Sequence, residues 1–198
     1  MAKRLLDLLS ATLGLLLLAP LLLLIALAIR LDSPGPALFR QERVGRHGVP
    51  FRIHKFRTMV ADAPARGPAL TVGDDARITR VGRFLRGHRL DELPQLLDIL
   101  RGDMSLVGPR PELPRFVALY PPALRDRVLA LRPGLTDPSS LAHLDEPEHL
   151  AAAADPEREY VQAILPAKLQ LAADYAEQAT LWSDLQVIGR TVALLWGR

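Results

Sequence analysis

The stretch that decides the fold is residues 5–29, LLDLLSATLGLLLLAPLLLLIALAI, an apolar run with few polar interruptions. A bilayer core about 30 Å thick needs about 20 apolar residues in a straight helix, so this run is long enough for one crossing. Pro20 lies near its middle, where it removes a helical hydrogen bond and bends the axis. The sequence therefore predicts a membrane helix with a hinge at Pro20.

Positive charge flanks the apolar run on both sides, at Lys3, Arg4, Arg30, Arg40, Arg43 and Arg46. The positive-inside rule places both flanks in the cytoplasm. A helix that bends at Pro20 and leaves through the same leaflet satisfies this rule, so we favour a re-entrant hairpin over a through-span. A cleaved signal peptide is less favoured, because its apolar region usually has only about 7–15 residues. We assign residues 1–31 to the re-entrant membrane helix and residues 32–198 to a cytoplasmic, membrane-associated domain.

The amino-acid composition limits the kinds of site that this protein can contain. The chain has 198 residues and a net charge of +3, with no cysteine. The missing cysteines exclude a disulfide scaffold, a thiolate metal site and a thiol nucleophile. Arginine, which is abundant here, suits bidentate contacts with phosphate and with anionic lipid.

Beyond the apolar run, the pattern predicts an α+β fold that is predominantly helical. Residues 32–36 form a turn, and the extended runs 37–42 and 50–56 form a small β-hairpin around glycines. Residues 62–75 form a mobile loop, typical of a lid or binding segment, whose Asp74-Asp75 pair suits a solvated turn or a helix cap better than a metal site.

The later segments have helical spacing. Thr79 caps a helix that carries arginines every third residue, namely Arg77, Arg80, Arg83 and Arg86. Residues 122–131 and 158–178 have amphipathic spacing. Residues 181–195 are more apolar, with Trp182 and Trp196 near the ends of this segment. Such helices commonly pack a soluble core. Beside a partly inserted hairpin, however, we expect some to lie on the membrane surface around a cytoplasmic active site.

The chemistry-bearing stretch is residues 86–111, RGHRLDELPQLLDILRGDMSLVGPRP. Its adjacent carboxylates, Asp91 and Glu92, are costly to hold together unless cations or a metal balance them. The candidates for this balance are Arg86 and Arg89 just upstream, Arg110 downstream, and a divalent ion. This combination suits chemistry on a phosphate ester, although an exposed helix start with ordinary surface charges remains the alternative.

A helix beginning at Asp91, with Pro94 in its first turn and Gly102 past its end, has a chemical consequence. Free amides and the helix dipole stabilise a carboxylate at a helix N-terminus, so we expect Asp91 to be ionised at neutral pH. An ionised carboxylate can attack phosphorus or bind magnesium.

Four motifs in order resemble the monotopic phosphoglycosyl transferases, the bacterial sugar transferases that start polyprenyl-linked glycan assembly. They are the apolar segment with its central proline, HKFRTM (54–59), RLDELPQLLDILRGDMSLVGPRPE (89–112) and RPGLT (132–136). The resemblance covers nearly the whole chain, and its central block is long and specific.

The resemblance implies a re-entrant membrane helix in the bacterial inner membrane, a catalytic domain on the cytoplasmic face, and magnesium. It implies a UDP-sugar donor and an undecaprenyl phosphate acceptor, but no nucleic acid; a homodimer is left open. By position, Asp91 would be the nucleophile and Glu92 its partner, both able to bind the metal. Lys55, Arg86 and Arg110 would bind the donor phosphates.

Two departures limit what the resemblance implies. Relatives often break the membrane helix at Ser-Pro, whereas this chain has Ala19-Pro20, and residues 137–150 replace a Gly-Trp-Ala-Gln-Val-Asn-Gly-Arg stretch. Sugar contacts of that stretch are therefore not transferable, and the donor sugar is unreadable. Direct attack by the lipid phosphate, with Asp91 as a metal ligand only, stays open. So does a non-catalytic, membrane-anchored module that binds anionic lipid or nucleic acid through its arginines.

Overall fold

A computed structural model describes residues 1–67, 70, 73 and 75–196, with the backbone alone at 195 and 196. Asp74 and the side chain of Trp196, both named above, lie outside the described part. Eleven α-helices and four short strands are described. The helices are α1 Ala2–Asp32, α2 Ala63–Arg66, α3 Arg80–Gly87, α4 Leu96–Arg101, α5 Pro114–Val117, α6 Pro122–Leu129, α7 Pro138–Ala142, α8 Glu146–Ala152, α9 Pro156–Glu159, α10 Leu165–Gln178 and α11 Leu181–Trp196. The strands are β1 Leu38–Val44, β2 Pro50–Phe56, β3 Ser105–Val107 and β4 Gly134–Thr136.

Helix α1 is the long apolar element predicted from the sequence. Within the described residues it is the one helix long and apolar enough to cross a membrane, and it continues through Pro20 as a single helix. Its buried positions are separated by 4, 14 and 4 residues, spacings that place them on one narrow stripe of the helix: Asp7, Ala11, Ile25 and Ile29. Most of its leucines are exposed: Leu5, Leu9, Leu13, Leu16, Leu17, Leu21, Leu23, Leu24, Leu27 and Leu31. An exposed apolar surface of this size is typical of a helix that contacts lipid.

The start of α1 is bonded to the rest of the protein. Arg4 donates to the carbonyl oxygens of Ile99 (2.7 Å) and Leu100 (3.1 Å) at the end of α4. The carboxylate of Asp7 accepts the hydroxyl of Ser105 (3.0 Å) and the amide of Leu106 (2.9 Å) in β3. Asp7, which interrupts the apolar run, is therefore a buried hydrogen-bond acceptor.

The other end of α1 is bonded to the same body. The carboxylate of Asp32 accepts the amide of Val81 at the start of α3 (3.0 Å). Arg57 donates to the carbonyl oxygens of Ser33 (2.8 Å) and Pro34 (2.5 Å), which stabilises the C-terminus of the helix. Both ends of α1 thus contact one body, with α4 and β3 near its start and α3 near its end.

The strands form two small pairs. β1 and β2 make the antiparallel hairpin predicted from the sequence, with Phe39 opposite Lys55 and Arg43 opposite Phe51. β3 and β4 pair in parallel, an arrangement that the sequence did not predict. Gly108 and Gly134 lie where these strands meet, and a Cβ on Gly108 would lie 2.2 Å from the carbonyl oxygen of Arg132. Side chains are excluded at that crossing, so glycine is required.

Several small hydrophobic clusters share the packing. One joins α1, the hairpin and α4 through Ala11, Ile53, Leu96, Ile99 and Met104. Another lies under the C-terminal helices and comprises Phe116, Leu150, Tyr160, Ile164 and Leu165. The C-terminal helices therefore pack onto the segment that follows the Gly108–Pro111 turn.

Candidate active site

Strand β2 carries Lys55, and the neighbouring His54 fixes that strand to α4. The carboxylate of Asp98 accepts the His54 amide (2.8 Å) and lies 2.5 Å from Nδ1. Arg101 donates to Nε2 (3.1 Å), so Nε2 is an acceptor. Nδ1 therefore carries a hydrogen and donates the hydrogen bond to Asp98. Asp98 is fully buried, and it ties the strand of Lys55 to the helix that follows the acid pair.

Helix α3 carries Arg86. The Thr79 hydroxyl accepts the amide of Gly82 (3.0 Å), which confirms the predicted cap. A Cβ on Gly82 would lie 2.0 Å from the carbonyl oxygen of Thr58, so glycine lets the helix lie directly on the HKFRTM segment. Arg86 is exposed at the end of this helix, and its guanidinium makes no hydrogen bond or ion pair with the described residues.

The acid pair lies on a 3₁₀ helix at Leu90–Gln95, and the α-helix begins only at Leu96. A helix thus begins within one residue of the predicted start at Asp91, but its first turns are 3₁₀ rather than α. Pro94 has no N–H to donate along an α-helix, and the Glu92 amide instead donates to the carbonyl of Arg89 three residues earlier (3.3 Å). Arg89 adopts φ 54°, an uncommon left-handed conformation for a side-chain-bearing residue.

Glu92 is held between two cations. Its Oε1 accepts Lys55 Nζ (2.7 Å) and Arg110 Nη2 (2.5 Å). Burial of the carboxyl favours the neutral form, but the charges and hydrogen bonds of Arg110 and Lys55 outweigh it and hold the pKa of Glu92 well below its usual range. Glu92 is thus an ionised, fully engaged carboxylate.

Asp91 has the opposite surroundings. Its carboxylate makes no hydrogen bond or ion pair with any residue that the structure describes, and it is only half-buried. Burial raises its pKa, and the negative charge of Glu92 adds to that effect. The charges of Lys55, Arg86 and Arg110 oppose it without reversing it. The pKa of Asp91 is thus raised, whereas a position at a helix N-terminus was expected to lower it.

Arg110 lies between Pro109 and Pro111, and its guanidinium reaches back to Glu92. Its pKa is raised, mainly by the charge of Glu92. The structure therefore brings all five predicted site residues together: Lys55, Arg86, Asp91, Glu92 and Arg110. Their roles stay predictions, because position alone does not test chemistry.

No group of three or more histidine or acidic side chains that could hold a metal occurs in the described part of the chain. Magnesium usually takes one or two protein carboxylates and completes its shell with water and substrate phosphate oxygens. Asp91, unpaired and partly accessible, fits such a ligand. Glu92 fits less well, because its Oε1 already accepts two cationic donors.

Sequence reasoning missed the residues that support the site. Arg57 belongs to HKFRTM yet contacts the end of α1, and Arg43, Glu112 and Tyr160 form a network behind Arg110. Asp7 carried a usable signal, since an acid inside an apolar helix commonly has a buried partner. In the divergent segment, Asp137 is buried and accepts the amides of Ser139 (2.8 Å) and Ser140 (3.0 Å), which caps α7.

Comparison with known proteins gives one consistent result. Residues 1–198 match the family model described as bacterial sugar transferase. A UDP-glucose:undecaprenyl-phosphate glucose-1-phosphate transferase of Caulobacter vibrioides is 44% identical over 98% of this chain and 69% of its own length. A UDP-N-acetylgalactosamine-undecaprenyl-phosphate N-acetylgalactosaminephosphotransferase of Aeromonas hydrophila is 37% identical over 96% of this chain and 42% of its own length.

A putative undecaprenyl-phosphate N-acetylgalactosaminyl 1-phosphate transferase of Bacillus subtilis is 46% identical over 60% of this chain and 66% of its own length. The chain therefore spans between 42% and 69% of the length of these three relatives. The resemblance stated from the motifs, and with it the expectation of an enzyme that transfers sugar phosphates, is confirmed: the chain belongs to the bacterial sugar transferase family.

Proposed function

We propose that this protein transfers a sugar-1-phosphate from a UDP-sugar to undecaprenyl phosphate and releases UMP. The observation that carries the proposal is the contrast within the acid pair. Glu92 is engaged by Lys55 and Arg110, whereas the adjacent Asp91 carboxylate is unpaired beside the same cations. An unpaired carboxylate among cations is suited to attack an anionic phosphate. Relatives named for UDP-glucose and UDP-N-acetylgalactosamine support the donor class without selecting one sugar.

The reaction has two displacements at phosphorus. A carboxylate oxygen of Asp91 attacks the sugar-bearing phosphate of the donor, and the bond to the bridging oxygen breaks so that UMP leaves. An oxygen of undecaprenyl phosphate then attacks the phosphosugar–aspartyl intermediate and displaces Asp91. The products are the polyprenyl diphosphate sugar and a regenerated carboxylate.

The cations stabilise the charge that develops during transfer. Arg86, whose guanidinium has no partner among the described residues, is available to bind the donor phosphates. Arg110 and Lys55 each hold Glu92 and retain unused N–H donors that can face the transferred phosphoryl group. Glu92 thereby fixes two cations next to Asp91.

Magnesium, where bound, would neutralise the donor diphosphate. Asp91 would be the protein group best placed to hold it. Direct transfer, with Asp91 acting only as that ligand, is the competing mechanism.

Helix α1 supports the proposed membrane placement. Both ends of α1 contact one body, which supports a re-entrant course that begins and ends on the cytoplasmic side of the bacterial inner membrane. The exposed Phe84 on α3 and Trp182 on α11 support shallow contact of these helices with the lipid headgroups. The site would then lie where a soluble donor meets a lipid acceptor; a homodimer remains a prediction.

The test is a donor panel. Detergent-solubilised protein is incubated with undecaprenyl phosphate, magnesium and individual UDP-sugars, including UDP-glucose and UDP-N-acetylgalactosamine, and UMP is measured. We expect UMP from at least one donor. Multiple turnovers should occur only when undecaprenyl phosphate is present. No UMP from any donor would favour a non-catalytic, membrane-anchored module instead.

A further inference from the structure

The backbone on both sides of Arg110 is fixed by hydrogen bonds from distant parts of the chain. The carbonyl of Pro109 accepts the amide of Gly134 (2.9 Å), and the carbonyl of Pro111 accepts Nη1 of Arg43 (3.1 Å). Arg110 therefore projects from a turn whose two flanking carbonyls are both bonded. Its proline neighbours restrict the backbone further.

Glu112 is the centre of a buried network behind this turn. Its Oε1 accepts the Leu113 amide (2.7 Å) and Arg43 Nη1 (3.3 Å), and its Oε2 accepts the hydroxyl of Tyr160 (2.5 Å). The carbonyl of Glu112 accepts the amide of Val44 in β1 (3.0 Å). The partners of this carboxylate are Arg43, Leu113 and Tyr160, none of which is a predicted site residue, so the network orders the turn without occupying the acid pair.

Tyr160 brings the C-terminal helices into this network. It is 2% exposed, opens the π-helical turn Tyr160–Ile164, and packs its ring against Phe116 at 4.8 Å between centroids. A single π-helical turn is an uncommon feature that often lies near functional sites. Here it directs one hydroxyl at a carboxylate two residues beyond Arg110.

The same hairpin controls both cations that hold Glu92. β1 carries Arg43, which fixes the turn of Arg110, while its partner β2 carries Lys55. A change in the hairpin or in its contact with Glu112 would therefore alter the distance between Arg110 and Glu92. A displacement of about 1 Å in such a group can reduce turnover by about a hundredfold.

We propose that Tyr160 and Arg43 are positioning residues for Arg110. Through Glu112 and Pro111 they hold the Gly108–Glu112 turn so that the guanidinium stays on Glu92 and faces the donor phosphate. This inference rests on the proposed function, in which Arg110 stabilises the transferred phosphoryl group.

The test is a double-mutant cycle with UMP release as the readout. Tyr160→Phe removes only the hydroxyl and keeps the ring on Phe116; we expect kcat to fall about tenfold, within the range for a displaced catalytic group, with the donor KM little changed. In an Arg110→Ala background the same substitution should cause almost no further loss, because its effect passes through Arg110. Arg43→Lys keeps the charge but not the guanidinium fork, and it should show the same loss of kcat and the same dependence on Arg110. It replaces Tyr160→Phe in the cycle if that variant does not fold.

Tyr175→Phe is the matched control. Tyr175 is also buried and also donates its hydroxyl to a buried carboxylate, that of Asp184, but it lies outside the Arg110 network. Whatever loss this control causes should multiply with that of Arg110→Ala.

Two results would overturn the inference. In the first, the losses from Tyr160→Phe and Arg43→Lys multiply with the loss from Arg110→Ala, which would show a general effect on folding. The proposed function would still stand in that case, because the unmutated protein releases UMP. Wild type that releases no UMP from any donor would remove the proposed function and this inference with it.

Discussion

Asp91 and Glu92 lie on the same 3₁₀ helix, yet of their two carboxylates only that of Glu92 is paired with cations. Glu92 accepts Lys55 and Arg110, and the Asp91 carboxylate makes no hydrogen bond or ion pair within the described part of the chain. Paired anions are poor nucleophiles because attack would require them to give up their partners. The asymmetry therefore favours Asp91 as the attacking group and gives Glu92 the task of holding the cations.

Asp91→Asn should abolish UMP release, because an amide cannot supply the attacking anion. With a labelled UDP-sugar and no acceptor, wild type should become covalently tagged, and peptide mapping by mass spectrometry should place the tag on Asp91. Glu92→Gln should be strongly impaired while retaining a trace of turnover. A tag on Glu92 would reverse the two roles, and normal turnover without any tag would favour direct transfer.

Asp91→Asn should also stabilise the fold at neutral pH. The pKa of Asp91 is higher in the folded protein than its ordinary value of 3.8. Between the ordinary pKa and the pKa in the folded protein, the folded state therefore binds more protons than the unfolded state. Stability is therefore lost as pH rises through that window, and the full cost is present above it. We therefore expect the Tm of the Asp91→Asn variant to exceed that of wild type at neutral pH.

The stability gain from Asp91→Asn should disappear as the pH approaches 4, which thermal denaturation in detergent at several pH values would reveal. Glu92→Gln is the opposing control, since it leaves Lys55 and Arg110 without their carboxylate and should lower Tm. A lower Tm for Asp91→Asn at pH 7 would mean that Asp91 has a structural partner.

Arg110→Ala should reduce kcat by about 10²–10³, the usual cost of losing one donor to a transition-state oxyanion. Folding should suffer less, because Lys55 still neutralises Glu92. Circular dichroism and Tm would separate the two effects. Arg125→Ala removes an exposed arginine with a neighbouring acid partner, and it should leave turnover unchanged. Equal turnover in Arg110→Ala would show that this arginine is structural.

Both ends of α1 should face the cytoplasm. The chain has no cysteine, so Ala2→Cys and Pro36→Cys provide single labelling sites. Gly35 is unsuitable, because its φ is +118° and an added Cβ would lie 2.9 Å from Nη1 of Arg57. Neither site should react with an impermeant reagent in intact cells, and both should react after permeabilisation. Labelling of the residue-2 site from outside would establish a through-span.

Pro20→Leu restores the missing backbone donor within α1. It should straighten the helix and shift some molecules toward a spanning form, which would make the Ala2→Cys site reactive from outside. An unchanged labelling pattern would mean that the contacts of Arg4 and Asp32 with the body, rather than the proline, keep both ends on one side.

Local features were readable from the sequence because they depend on neighbouring residues. The apolar run predicted α1, the glycines between two extended runs predicted the β1–β2 hairpin, and Thr79 marked the start of α3. The start of the helix after Arg89 was predicted to within one residue, but its 3₁₀ form was missed, since the pattern does not reveal that the acid pair precedes the first α-helical turn. The parallel pairing of β3 with β4 was also missed, because three-residue strands carry too little periodicity to be recognised.

By itself the sequence determined which residues are candidates for the site and which helix is long and apolar enough to cross a membrane, because motif spacing and hydrophobic length are properties of contiguous residues. Only the tertiary structure decided which of the two adjacent carboxylates is paired with cations. Lys55 comes from 37 residues before Glu92 and Arg110 from 18 residues after it, and both meet Glu92 rather than Asp91. The tertiary structure likewise placed Tyr160 behind Arg110, at Glu112, 48 residues away along the chain. Pairing across such separations depends on how the hairpin and the C-terminal helices pack, and local sequence does not encode that geometry.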